Sequence, residues 1–494
     1  MQLFRHSLKK ILLGTFFVIA LNGSSLLLGQ GQFSAWQFDK EQEANQKTIL
    51  NAFRSGSIGA DRQGVEKFFD NYYFARWTVP DQSKLGAIQG YTVEFLNDLK
   101  YSTGDARDYF LNKSFTVLQK MAADQSVTPH ARYNAILTIG AMNQRDAARP
   151  GDPVVPYSQA LPYLVNQYNS QTTPDALRVG ALVGIVRHAQ HGIADDNIKN
   201  NTVPELLIKI IRAGKPVLQG DAYAQEMADW HRLLALDGLA ALKSAGARGE
   251  VVDVLSSVID ESLESFEIRC RAARTFGDLD LSAAVTAGAQ INFQRQALSL
   301  LALIRATYEN ELTLVKEARD KERLKSGGGG ASMPSETRGF RFGGAAAGGE
   351  VEPSFASLSQ AMKQEVTSSV QRLKWYMTCI AYGLRGNSLS GPPNAGVLPM
   401  LPANDPTAVK INGAVREIGQ LLRFLDDGPQ QPAAPKGAAG GPAGVPPVGG
   451  PPVGGPDTAR GSTSTDNDLK VTLLLIRDYL EQQFKVNFEA LMAK

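Results

Sequence analysis

From Ala35 to Lys325 the apolar residues recur with a helical period, and the alternation that a half-buried strand requires is almost missing. Val251, Val254, Leu255, Val258 and Ile259 fall at i, i+3, i+4, i+7 and i+8, one stripe along one helix. Leu206, Leu207, Ile210 and Ile211 repeat the pattern in a shorter helix opened by Pro204, a residue suited to a first turn. No series of β-branched runs joined by Asn-Gly or Asp-Gly turns competes with this reading. The expected fold class is all-α.

Four of these helices share a further signal, an arginine followed three residues later by alanine. They read ARYNAILTIGAM around Arg132 and Ala135, LRVGALVGIV around Arg178 and Ala181, HRLLALDGLAAL around Arg232 and Ala235, and IRCRAARTFGDL around Arg269 and Ala272. Each follows another amphipathic segment: Tyr109–Ala123, Tyr157–Tyr168, Val203–Arg212 and Glu250–Glu264. The small residue lets a partner helix approach closely, and the arginine stands at the helix start where it can bridge to the neighbouring turn. Between roughly residues 105 and 280 the segments resemble HEAT-type repeats, in the inner-helix order of Arg, Ala and then apolar residues. The resemblance implies a right-handed α-α superhelix, a HEAT-like solenoid of stacked helix pairs over residues 35–325. The spacing is irregular, so a non-repetitive antiparallel bundle is the alternative.

Asn292 to Lys325 reads as one helix about 50 Å long, its stripe made by Phe293, Ala297, Leu300, Ile304, Tyr308, Leu312 and Val315 before a charged end, KEARDKERLK. Beyond it the material changes. About half of the 47 glycines and 25 prolines lie in three stretches, near residues 326–350, 387–404 and 428–466, the last containing GVPPVGGPPVGGP. Such composition buries too little apolar area to offset chain entropy, so disordered linkers are expected there. Helical islands are expected at 354–386, 405–427 and 467–494. Isolated helices of that size are marginal in water, so they must dock on each other, on the solenoid end or on a partner.

At the N-terminus a basic segment with Arg5, Lys9 and Lys10 precedes an apolar run from Ile11 to Leu21. That order of charge and apolarity fits a signal peptide over residues 1–31, with Gly29 or Gly31 as the small residue at the cleavage region. The alternative is an uncleaved anchor, since residues 11–29 could just cross a bilayer. Either way the body is expected to be exported, periplasmic or secreted. Fifty-one basic against forty-nine acidic side chains leave a net charge of +2, without the basic excess that nucleic-acid binding draws on. The two cysteines, Cys270 and Cys379, are too few for a disulfide scaffold; in an oxidising envelope they could pair, or each could serve as a small buried hydrophobe.

Chemistry-bearing patterns are sparse. His188 and His191 stand at i, i+3 with Asp195 and Asp196 after them, and His231 could supply a third metal ligand from the next helix pair; the competing reading is an ordinary helix C-terminus closed by Gly192. FFDNYYFARW, with Phe68, Phe69, Tyr72, Tyr73, Phe74 and Trp77, is either a capping core or a platform for sugars, the core being favoured. Asn112-Lys-Ser114 and Asn200-Asn-Thr202 fit the glycosylation sequon. The glycine runs at 327–330 and 343–349 lack the Lys-Ser/Thr or the preceding strand of a phosphate loop, and GNSLSG at 386–391 is not a nucleophile elbow. No catalytic, cofactor or metal residue is therefore assigned. The expected function is an exported, non-enzymatic scaffold that binds another envelope protein, with no nucleic-acid partner and with self-association through the C-terminal helices as an option. The alternatives are a metal-dependent or glycan-directed enzyme on an α/α scaffold, or a self-assembling structural protein.

Overall fold

The computed structural model describes residues 33–58, 61–79, 85–213, 222–246, 248–327, 360–386, 395–427 and 484–493. The N-terminal apolar segment and the stretches 328–359 and 428–483 lie outside the described residues, and with them the expected signal, most of two linkers, and Leu469, Leu473, Ile476 and Leu480 of the last island. No helix among the described residues is long and apolar enough to cross a membrane. The chain is all-α and forms two compact units, up to Leu242 and from Lys243 onward.

In the first unit α1 (Glu43–Arg54), α2 (Arg62–Phe68), a π-turn at Phe69–Tyr73 and α3 (Leu85–Tyr101) precede three helix pairs. These are α4 (Gly104–Ala123) with α5 (Pro129–Ala141), α6 (Ala160–Asn169) with α7 (Asp175–His191), and α8 (Val203–Arg212) with α9 (Ala222–Leu242). Second helices also pack on one another, α5 on α7 and α7 on α9. Local signals place the starts: the Thr128 hydroxyl accepts from Ala131 N with Pro129 in the first turn, and Gly192, at φ 101°, ends α7. Among the described residues the strands are a short antiparallel pair, β1 (Asn143–Arg145) and β2 (Val155–Pro156), between α5 and α6.

FFDNYYFARW forms the core of the N-terminal end. Phe68, Phe69, Tyr72, Tyr73, Phe74 and Trp77 are all buried, in edge-on and tilted contact with Phe53, Phe95 and Phe110. The sugar-platform alternative therefore has no exposed rings there. Tyr73 donates its hydroxyl to buried Asp98 at 2.8 Å.

The second unit holds α10 (Glu250–Asp260), α11 (Phe266–Asp278), α12 (Leu281–Thr286), α13 (Phe293–Gly327), α14 (Gln360–Arg385), α15 (Pro406–Asp427) and α16 (Lys485–Ala493). The islands dock within this unit: α14 packs on α11 and α13, α15 on α14 and α13, and α16 on α15. The apolar periodicity predicts stripes of Val370, Leu373, Met377, Ile380 and Leu384 in α14 and of Ile411, Val415, Ile418, Leu422 and Leu425 in α15; all are buried except Val370 and Leu422, which are half-buried. Buried Glu311 of α13 accepts from the Ser369 hydroxyl and, at 3.3 Å, from Arg372 Nε, both on α14. Residues 395–404, expected within a disordered linker, instead fold back on α14. Val397 N donates to Gly383 O at 3.2 Å, and Val397 and Leu398 are buried. Two apolar side chains with a surface to cover outweigh the local glycine and proline content.

Candidate functional site

The four arginines of the repeated segments do one job. Arg132 Nε donates to Ala122 O at 2.9 Å, Arg178 Nε to Tyr168 O at 3.0 Å, Arg232 Nε to Ile211 O at 3.2 Å and Arg269 Nε to Ile259 O at 2.9 Å. Each acceptor is the penultimate residue of the preceding helix, α4, α6, α8 or α10. The last turn of a helix leaves carbonyls without an intrahelical donor and carries the negative end of the dipole. A guanidinium from the next helix answers both needs and fixes the turn between the pair. The guanidiniums of Arg178 and Arg269 also lie over the rings of Tyr168 and Phe266, each at 5.2 Å.

Counting from each arginine, burial repeats in register. The alanines three residues on, Ala135, Ala181, Ala235 and Ala272, are fully buried, as are the residues seven on, Ile139, Ile185, Leu239 and Phe276. Positions five and nine residues on are half-exposed in all four helices: Leu137 and Ala141, Val183 and Arg187, Asp237 and Ala241, Arg274 and Asp278. These positions lie 40° apart on a helix of 100° per residue, so each second helix keeps one narrow face open. In the first unit, where α5, α7 and α9 are successive neighbours, that face is mostly apolar, with Arg187 and Asp237 as its charges.

Arg187 joins the face to the β-pair. Its Nη1 donates to Gly140 O at 3.0 Å, the penultimate carbonyl of α5, and its Nη2 to Asn143 Oδ1 at 2.5 Å. Asn143 Nδ2 donates to Asp146 Oδ1 at 2.6 Å, and Arg107 binds the other carboxylate oxygen at 2.9 Å and Asn143 O at 3.0 Å. Burial pulls the Arg187 guanidinium pKa down, and Asp146 pushes back. Two arginines from α4 and α7 thus hold residues 143–156 beside the open face of α7. Neither Arg107 nor Arg187 stood out in the sequence, because what they bind is a loop whose position no local pattern encodes.

The histidines do not converge. His188 is 2% exposed, with no hydrogen-bond partner on Nε2, whereas His191 is exposed at the end of α7. Burial, then the charges of Arg187 and His191, push the His188 pKa down to about 4. His231 rests edge-on to Tyr168 at 6.3 Å and feels the charges of Arg178 and Asp175. Those residues are at the start of α7, roughly 20 Å by helical rise from His191. Among the described residues no three His, Cys, Asp or Glu side chains come together in a group that could hold a metal. The three-histidine site is thus set aside by the length of α7. Set against protein-family models, curated proteins and solved structures, the chain gives no match.

Proposed function

We propose that the chain is an exported, non-enzymatic helical-repeat scaffold, a HEAT-like superhelix whose second helices bind another protein of the cell envelope. The observation that carries this reading is the shared register of the four second helices. The same arginine-to-carbonyl bond and the same two open positions recur in each. A repeated bond fixes a repeated pairing geometry, and stacked pairs offer an extended surface of the kind long partners occupy. Leu137, Val183 and the small Ala141 and Ala241 leave that surface apolar and accessible, with Arg187 and Asp237 to set polarity.

The test is covalent crosslinking in intact cells, purification under denaturing conditions and identification of the attached protein. The reading expects one envelope protein to be recovered with the natural chain and lost with Val183→Glu at unchanged helicity. Recovery that Val183→Glu leaves undiminished, or no attached protein at all, contradicts it. Export is tested separately, by the N-terminus of the mature protein.

A further inference from the structure

We propose that Cys270 and Cys379 are a disulfide-forming pair that fastens α14 to α11. The two helices run in the same direction: Phe266 at the start of α11 meets Tyr376 in the second half of α14 at 6.4 Å, and Arg274 lies over Tyr382 at 5.6 Å further along both. They then touch backbone to backbone. A Cβ on Gly383 would lie 2.5 Å from Ala273 O, and one on Gly277 would strike Tyr382 O. Cys270 stands one turn before Ala273 and Cys379 one turn before Gly383, so both thiols occupy the facing sides of this close crossing. Cys270 is 0% and Cys379 1% exposed, and both are thiols in the structure. Burial raises the Cys270 pKa well above its ordinary value, and the next contribution is the charge of Cys379 itself, which sets the two groups within electrostatic reach.

Disulfides require close Cα atoms and converging Cβ vectors, which a backbone-contact crossing supplies. In an oxidising compartment the partner would be a low-molecular-weight disulfide such as oxidised glutathione. One cysteine thiolate attacks it, forming a mixed disulfide and releasing one glutathione thiolate. The second cysteine thiolate then displaces the other glutathione. The protein loses two electrons and two protons, and the oxidant becomes two thiols. Because the folded pair is buried, exchange occurs while the chain folds. The bond would close a loop of roughly a hundred residues containing the whole 328–359 stretch.

The test is to refold the full chain in oxidised or in reduced glutathione, quench with acid, denature, and label thiols with a maleimide. The oxidised sample should take no label, run as a monomer without reductant, regain two labels after reduction, and melt about 10 °C higher than the reduced one. Cys379→Ala should remove that rise and leave Cys270 labelled or as a glutathione adduct. Two full labels on natively folded, oxidised protein overturn the proposal, as does a disulfide found only between chains. The experiment is independent of the partner and of export, so its failure leaves the scaffold reading standing.

Discussion

A guanidinium set against the last turn of a neighbouring helix meets carbonyls that have lost their own donors, and the strength of that bond depends on burial. Arg232 and Arg269 are buried, whereas the Arg178 side chain is 37% exposed. Replacing Arg232 or Arg269 with alanine should therefore destabilise the unit that carries it by about 2 kcal/mol, and Arg178 with alanine by less than about 1 kcal/mol. Urea unfolding measures this as a lower midpoint at unchanged slope. Lysine should not rescue Arg269, because it lacks the Nε–H that makes the 2.9 Å bond to Ile259 O. His188 predicts a pH dependence. Its folded pKa, about 4, lies below the ordinary 6.5, so the unfolded chain binds the extra proton between those values. The stability conferred by neutral His188 is complete above pH 6.5 and lost as pH falls toward 4, up to about 3 kcal/mol. His188→Gln should flatten the urea midpoint across that window relative to the natural chain; an unchanged slope would show that His188 is not the group responsible.

At the scale of elements, helices meet where side chains are missing. A Cβ on Gly140 of α5 would lie 2.6 Å from Gly184 Cα on α7, while a Cβ on Gly90 of α3 would meet nothing within 4 Å. Gly140→Ala should therefore cost more than about 2 kcal/mol, and Gly90→Ala should stabilise by about 0.5 kcal/mol through helix propensity. Thermal melts of the two variants, shifting in opposite directions, check the pairing of α5 with α7. The apolar periodicity marks the long elements closely, at 292–325 for Phe293–Gly327 and at 405–427 for Pro406–Asp427. The arginine-alanine signal was also visible, because it repeats at one place in each helix. What the residues could not announce was contact between distant segments. Gly383 against Ala273, Val397 against Gly383 and Arg187 against Asn143 are each made by parts that look ordinary in their own windows. His188 and His191 show the same limit, since equal residues three apart fall on the buried and the exposed side of one helix.

At the scale of the molecule, the chain spends its regularity on second helices that are buried nearly all round and open along one narrow face. Among the described residues no three His, Cys, Asp or Glu side chains gather, on that face or elsewhere, in a group that could hold a metal. The apolar positions of the face, Leu137, Val183, Ala141 and Ala241, stand five or nine residues after the arginines, with Arg187 holding the 143–156 loop at its side. A surface built by repetition serves contact along its length, so its contribution should be spread over successive pairs. The most direct measurement places a photo-activatable amino acid in turn at positions 137, 183 and 237, and at the exposed first-helix positions Asn166 and Lys209, then irradiates intact cells. The account predicts that positions 137, 183 and 237 attach to the same envelope protein and that 166 and 209 do not. Attachment that is equal at both sets of positions, or confined to the first-helix set, would contradict it.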